Sequence, residues 1–294
     1  LPFASREDMY SFVESMTDYE QYVFSLGATL EGLHWYREKR KSFENDWDMQ
    51  EQFRSTADEA FVTSGRKAHH PLHIKQMEVF TSKPTFIGEM YADAPSGKEA
   101  INGSLEYKEV ANGEFWIWKK PDTKVLYNHR YLVSLDIGGS AAKADWSVIR
   151  VLDRLPMMNG GVPEFVATYR FHMDQDLTAW RAVQVAKYYN DALLVVEANV
   201  LNTFQTEGNF TSTVLDIISH VYPHLYYRDD PSKIKEGLPL KYGFWTGKNK
   251  SEIVSIMTRG LRDMGFIERD QRMLDECGWY ELKPDGSYGA IDGQ

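Results

Sequence analysis

Two short apolar runs, each ending in a carboxylate, decide the fold of this chain. Residues 131–139 read YLVSLDIGG and residues 193–197 read LLVVE, so Asp136 and Glu197 each follow a strand-like run. A charged side chain at the end of a buried strand is poorly solvated, and it needs either a protein partner or a cation. The two carboxylates are therefore the first candidates for a functional site.

The sequence around these runs predicts a mixed α/β fold. After the first run, short strands are predicted at 146–152 and 164–171, and the tight connections favour an antiparallel three-strand meander. A predicted helix at 177–190 then leads into the run at 193–197, and such a helical crossover favours parallel pairing of that run with the first strand. Both carboxylates would then lie at one edge of the sheet, where open α/β sheets bind ligands.

Periodicity also predicts the elements that follow Glu197. Apolar residues at helical spacing, with a short strand after the first helix, predict the order β-β-β-α-β-α-β-α for the second part of the chain. Ser251 is expected to cap the helix that begins there. The predicted segments are a helix at 210–221, a strand at 225–227, and helices at 251–264 and 270–278.

The chain is predicted to contain two parts, with residues 1–125 as a helical and linker region and residues 126–294 as the α/β domain. Residues 5–58 are mostly helical in pattern, and Ser5 with Asp8 resembles a capping start. Residues 74–130 are rich in Gly and Pro with short aromatic strands, which predicts a connecting region with some β structure. His69 and His70 are expected to lie in a surface loop, since adjacent strand residues point in opposite directions and would not chelate one metal.

Composition excludes several classes of protein. No apolar run among the 294 residues approaches the ~20 residues that a membrane-spanning helix needs. The single cysteine, Cys277, rules out an internal disulfide framework and a Cys-based zinc site, and it fits a reducing, intracellular setting. The net charge of -10 means that any nucleic-acid surface must be a local basic patch.

The carboxylate pair predicts a cation site. Facing carboxylates repel each other, and a divalent cation relieves the repulsion; oxygen ligands suit Mg²⁺ or Mn²⁺. Two such ions ~3.5–4 Å apart activate a water molecule and stabilise the leaving oxygen of a phosphodiester. Asp136 alone could equally be a turn residue before Gly138, and Glu197 alone could be a helix cap or half of an ion pair.

The residues from Tyr131 to Gln294 resemble the nuclease domain of phage large terminase subunits, which has a ribonuclease H-like fold. Residues 53–65, and 116–118 with Pro121, resemble the segment that joins the terminase ATPase to this nuclease, so the resemblance extends back to about Leu33. The order and spacing of short motifs carry it. The nuclease motifs are YLVSLDIGG at 131–139, ADWSVIRVLD at 144–153, VVEAN at 195–199, GFWTGKNKS at 243–251 and SYGAIDGQ at 287–294.

The resemblance implies a metal-dependent endonuclease that cuts concatemeric double-stranded DNA during viral genome packaging. It implies Asp136 and Glu197 as ligands of a two-metal Mg²⁺ or Mn²⁺ site, with Asp145 as an accessory acid. Asp145 could equally cap the strand that follows it. The implied partners are double-stranded DNA, the portal and the small terminase subunit, in the cytoplasm of an infected or lysogenic bacterial host.

The chain departs from the family pattern in two respects. The family's third metal ligand is an Asp in a His-Asp-Asp run after a Gly-x pair, and here the sequence given ends at the corresponding Gly293-Gln294. We therefore expect an incomplete site and weak or absent cleavage. No G-x-x-x-x-G-K-[ST] loop is present, so we expect no ATP binding.

A candidate DNA path lies between residues 228 and 262, where basic residues alternate with aromatic ones. Such interleaving is typical of surfaces that hold a phosphate backbone, although an ordinary charged surface explains the pattern equally well. The candidate DNA-binding residues are Arg228, Lys241, Lys248 and Lys250.

Two alternatives remain open. The loop Asp136-Ile-Gly-Gly also resembles the first phosphate loop of actin-like sugar and acetate kinases, although no second phosphate loop of that kind follows. The chain could also be a non-catalytic docking or scaffold fragment that retains the nuclease fold. ATP binding tests the kinase reading, and partner binding tests the scaffold reading.

Overall fold

The computed structural model divides the chain into two compact units, one formed by Leu1–Gln76 with Glu276–Gln294 and the other by Met77–Asp275. It describes residues 2–43, 49–50, 52–56, 66–138, 145–197, 215, 218–228, 242–244, 246, 249–283 and 285–291, without the side chains of 175 and 176. The elements are α1 (Arg6–Glu14), α2 (Asp18–Ser25), α3 (Leu30–Arg40), β1 (Arg66–Lys67), α4 (Pro71–Met77), a 3₁₀ turn (Glu78–Phe80), β2 (Phe86–Ala92), α5 (Glu99–Asn102), β3 (Leu105–Glu109), β4 (Phe115–Ile117), β5 (Tyr131–Asp136), β6 (Ser147–Asp153), a second 3₁₀ turn (Leu155–Asn159), β7 (Glu164–Phe171), α6 (Gln175–Tyr188), β8 (Leu193–Val196), α7 (Lys250–Arg262), α8 (Gln271–Trp279), β9 (Tyr280–Leu282) and β10 (Tyr288–Ala290).

Three short helices form a small core in the first unit. The Ser5 hydroxyl accepts from the Asp8 amide while the Asp8 carboxylate accepts from the Ser5 amide, so the predicted capping start is confirmed. The predicted helical run is broken at Gly27, whose φ of 103° lies in the left-handed region that favours glycine. Phe12, Met16, Val23 and Leu33 pack together between the helices.

The same unit contains a three-stranded antiparallel sheet in the order β1-β9-β10. His69 follows β1 and is only 4% exposed, with its ring stacked on Tyr280 at a centroid distance of 6.2 Å. The prediction that His69 lies at the surface is therefore wrong. Its imidazole packs in the interior because the short sheet brings Tyr280 across from it.

The second unit is built on a seven-stranded sheet in the order β3-β2-β4-β7-β6-β5-β8. Strands β5, β6 and β7 form the predicted antiparallel meander, and β8 pairs parallel with β5, with Leu135 opposite Val196. Both predictions are confirmed, and so is the mixed α/β class.

The region predicted as a connection contributes three strands to this same sheet. Strand β4 pairs with β7, and β2 lies between β4 and β3, all of them antiparallel. The β structure predicted within 74–130 is present, but β2–β4 belong to the seven-stranded sheet rather than to a separate connecting region. The domain boundary predicted between residues 125 and 126 stays a prediction. Strands β2–β4 precede this position and β5–β8 follow it, and all of them belong to one sheet.

One face of the sheet is covered by α6. Alternate strand residues such as Val133, Leu135 and Ile149 are buried there against Ala182 and Val183 of the helix. Because side chains alternate along a strand, the residues between them point to the opposite face. We call that opposite face the site face, defined by Ser134, Asp136, Val148, Arg150 and Arg170.

The later helices agree with the periodicity. Helix α7 confirms the segment predicted at 251–264, and α8 confirms the one at 270–278. The expected Ser251 cap is wrong, because Asn249 occupies the N-cap position and makes no side-chain capping bond. The helix predicted at 210–221 lies mostly outside the described residues, of which Leu215 and Ile218 belong to the core. Among the described residues, no helix is long and apolar enough to cross a membrane.

Candidate metal centre

Asp136 and Glu197 lie side by side at one edge of the seven-stranded sheet. Asp136 is the last residue of β5, and Glu197 directly follows β8. The Glu197 amide donates to the Leu135 carbonyl at 3.0 Å, which continues the parallel register to the two carboxylates. The apolar runs therefore place both acids at the carboxyl ends of adjacent parallel strands, as the sequence predicted.

The two carboxyl groups interact directly. Desolvation by the surrounding protein raises the pKa of Asp136 to about 7, and a hydrogen bond with the Glu197 carboxyl and its negative charge add to the shift. The Asp136 side chain still reaches solvent at the sheet edge. A proton on Asp136 therefore relieves the repulsion up to neutral pH, and a cation would take over that role above it.

Thr246 orients Glu197 from the other side. Its hydroxyl donates a hydrogen bond to Glu197 Oε1, and the Phe244 amide donates to the Val196 carbonyl at 2.7 Å. Residues 242–244 thus lie along the end of β8 and carry Thr246 to the acid. The sequence analysis gave Thr246 no role, although the motif GFWTGKNKS contains it.

A close backbone contact brings Asp145 to the pair. A Cβ atom on Gly138 would lie 2.2 Å from the Asp145 carbonyl oxygen, so only glycine fits there. The Gly138 amide also donates to the buried Ser147 hydroxyl at 3.1 Å. Asp145 is exposed, and its charge contributes to raising the pKa of Asp136.

The donors at this edge suit a divalent cation. Carboxylate and hydroxyl oxygens are the ligands that hard cations prefer, and two acids held together are strongly favoured to bind one. Among the residues that the structure describes, no group of three or more His, Cys, Asp or Glu side chains is placed to hold a metal ion. Asp136 and Glu197 are the acids that meet at this edge of the sheet.

Two of the four candidate DNA-binding residues are described. Lys250 is exposed at the first position of α7, and Arg228 is exposed one residue after Tyr227, which bridges to Tyr242. The segment before Arg228 runs beside β8, since the Tyr226 amide donates to the Leu194 carbonyl at 2.8 Å. Lys241 and Lys248 lie outside the described residues.

The strand order β7-β6-β5-β8, with acids at the ends of β5 and β8, is the mixed α/β arrangement that the ribonuclease H-like resemblance predicts. No model of a known family matches the chain, and no curated protein matches it. Solved structures do resemble it, and all three described next are terminase nucleases.

Two of these structures are the large terminase nuclease from thermophilic phage G20c. The one with bound magnesium is 13% identical, covers 79% of this chain and 91% of its own, and has a TM-score of 0.45. The one with bound zinc is 17% identical over 60% and 82%, with a TM-score of 0.38. The human cytomegalovirus terminase nuclease domain, Mn soaked and inhibitor bound, is 9% identical over 69% and 77%, with a TM-score of 0.36. These likenesses concern the fold alone.

Proposed function

We propose that this chain is the metal-dependent endonuclease part of a viral DNA-packaging terminase and cuts concatemeric double-stranded DNA. The observation that carries the proposal is the placement of Asp136 and Glu197 side by side at the ends of adjacent parallel strands. The motifs from Tyr131 onward support the terminase assignment. The proposed partners are the portal and the small subunit, in the cytoplasm of an infected or lysogenic bacterial host.

Asp136 and Glu197 would hold the metal. A bound Mg²⁺ or Mn²⁺ would supply an activated water and would stabilise the charge on the leaving oxygen of the phosphodiester. Thr246 keeps the Glu197 carboxylate turned toward the site through its hydroxyl. Asp145 adds negative charge beside Asp136, which favours cation binding and disfavours the free acid pair.

The basic residues would bind the substrate backbone. Lys250 and Arg228 lie on the segments that flank the Glu197 end of the sheet, and they would contact phosphates of the DNA. Lys241 and Lys248 belong to the same proposed surface. Their contribution is to affinity rather than to sequence preference, because phosphate contacts carry no base information.

The test combines metal binding with cleavage. Calorimetric titration with Mn²⁺ should show binding to the native protein and none to Asp136→Asn. Cleavage of supercoiled plasmid is expected to be weak, and any nicking should occur with the native protein and not with Asp136→Asn. Asp191→Asn is a matched control, since Asp191 is an exposed acid elsewhere in the same unit. Equal Mn²⁺ binding by native protein and Asp136→Asn would refute the site. ATP binding by the native protein would favour the actin-like kinase instead.

A further inference from the structure

An exposed tryptophan stands on the site face next to the carboxylate pair. Trp146 immediately precedes β6 and is 38% exposed. Its backbone carbonyl would be 2.5 Å from a Cβ on Gly138, so the main chain of Trp146 is held against the residues that follow Asp136. A large aromatic ring thus remains partly open to solvent, while its backbone has a fixed position near the acids.

Two side chains of β7 hold the indole ring. The His172 ring lies 4.2 Å from the Trp146 ring, centroid to centroid, at an interplanar angle of 34°. The Arg170 guanidinium carbon lies 5.1 Å from the Trp146 ring centroid. Because a second ring and a guanidinium already hold the Trp146 ring, it loses less conformational freedom when a further flat group binds. This favours stacking of such a group on the indole.

The strand register places these groups in line with the acids. Asp136 pairs with Val148, and Val148 pairs with Arg170, so one row crosses the sheet from Glu197 to Arg170. Neighbouring strands are about 4.8 Å apart, so the backbone of Arg170 is about 10 Å from that of Asp136. That distance is within one or two nucleotides of a phosphodiester held at the carboxylates.

Two arginines of the site face contact different groups. Arg150 donates to both carboxylate oxygens of Glu268, at 2.8 and 2.7 Å, and is occupied within the protein. Arg170 lies at the outer end of the face, with its guanidinium against the exposed Trp146 ring. A cation and an exposed indole together suit a nucleotide, whose phosphate is negative and whose base is flat.

We propose that Trp146 stacks on an unpaired base next to the scissile phosphodiester, with Arg170 and His172 fixing the ring and Arg170 binding the adjacent phosphate. This inference rests on the proposed nuclease function and names a substrate feature of that same site, a base taken out of the duplex. It predicts tighter binding to DNA with a locally unpaired region than to a fully paired duplex.

The test is fluorescence anisotropy in Ca²⁺, with a labelled duplex that carries a central unpaired bubble and a fully paired duplex of matched sequence. Trp146→Ala should lose about tenfold in affinity for the bubble duplex and much less for the paired one. Trp146→Phe should restore most of the affinity. Trp35→Ala is the control, because Trp35 is 51% exposed in the other unit and should behave as native protein.

The outcomes separate this inference from the function on which it rests. If Trp146→Ala binds the bubble duplex as tightly as native protein while Asp136→Asn abolishes cleavage, the stacking proposal is refuted and the nuclease stands. If Trp146→Ala weakens binding to the bubble duplex but Asp136→Asn cleaves DNA as the native protein does, the proposed role of Asp136 in cleavage is refuted and the stacking of a base on Trp146 stands. Should Trp146→Ala prove unfolded by circular dichroism, His172→Ala serves instead, and an unchanged affinity for the bubble duplex in that variant also refutes the proposal.

Discussion

The acids in the middle of the site face have positively charged partners, whereas the acid at its edge has a negatively charged one. In the middle of the face, each buried acid meets a guanidinium: Glu268 is bound by Arg150, and Asp270 by Arg272 at 2.9 and 2.8 Å. At the edge, Asp136 meets another acid, Glu197. In the middle of the face, arginines of the protein neutralise the acids. At the edge, the two acids leave uncompensated negative charge, which a proton or a cation must neutralise.

The pKa shifts record the same difference. Burial alone would raise the pKa of Asp270, but the hydrogen bonds and charge of Arg272 outweigh it and lower that pKa. Burial and Glu197 act together on Asp136 and raise its pKa to about 7. The pKa of the acid beside an arginine is thus lowered, whereas the pKa of the acid beside a second acid is raised.

The largest expected effect is on the stability of the internally paired region. Glu268→Gln leaves the mostly buried Arg150 without the carboxylate of the fully buried Glu268, and we expect a loss of about 3 kcal/mol in the free energy of unfolding. Urea unfolding followed by circular dichroism measures it. Glu106→Gln is the control, because Glu106 pairs with Lys108 on the surface and such pairs contribute little. Equal, small losses in both variants would contradict the comparison.

Mn²⁺ should stabilise the folded protein through the acids at the sheet edge and not through the ion pairs in the middle of the face. Mn²⁺ at about a hundred times its Kd should stabilise the native protein by about 2.7 kcal/mol, because it binds only the folded state. Mn²⁺ should not stabilise Asp136→Asn. Glu268→Gln is less stable than the native protein without metal, but Mn²⁺ should raise its free energy of unfolding by the same amount. Thermal unfolding with and without Mn²⁺ tests this, and stabilisation of Asp136→Asn would place the metal elsewhere.

A smaller effect is expected from the group that orients Glu197. Thr246→Ala removes the hydroxyl that donates to Glu197 Oε1, and we expect Mn²⁺ affinity to fall about tenfold. Thr246→Ser keeps the hydroxyl and should retain the affinity. Calorimetric titration compares the three proteins. Equal weakening by Ala and Ser would mean that the Thr246 methyl group, rather than the hydrogen bond, matters.

The smallest effects are opposite pH slopes in metal-free protein. Because the folded-state pKa of Asp136 is raised, its contribution to stability is present below pH 4 and is lost as pH rises toward 7. Because that of Asp270 is lowered, its contribution is present above pH 4 and is lost as pH falls further. Relative to native protein, Asp136→Asn should therefore gain stability from pH 5 to 8, and Asp270→Asn should lose most at neutral pH. Melting curves in EDTA across pH test both signs.

The acids at the sheet edge could be predicted from the sequence because their signal is local. An apolar run followed by a carboxylate marks each strand end, and a helix between two runs favours their parallel pairing. Asp136 and Glu197 are therefore adjacent in the structure as the pattern indicated. Nothing local identified Thr246 or Trp146, since their roles depend on which segments the fold brings together.

The charged pairs in the middle of the face could not be predicted in this way. Arg150 and Glu268 are 118 positions apart in the sequence, and no periodicity links such residues. That strands β2–β4 belong to the central sheet could not be predicted for a related reason. Their Gly-rich and Pro-rich surroundings resemble a linker, and only pairing of β4 with the distant β7 makes them part of the sheet.

That pairing has a consequence for any shortened form of the protein. In the whole chain, β7 lies between β6 and β4, so its backbone groups are paired on both sides. A polypeptide starting at residue 126 would lack β4, and the Ala167–Tyr169 segment would become an open strand edge. Such an edge invites pairing with another molecule, so the shortened protein should self-associate through β7.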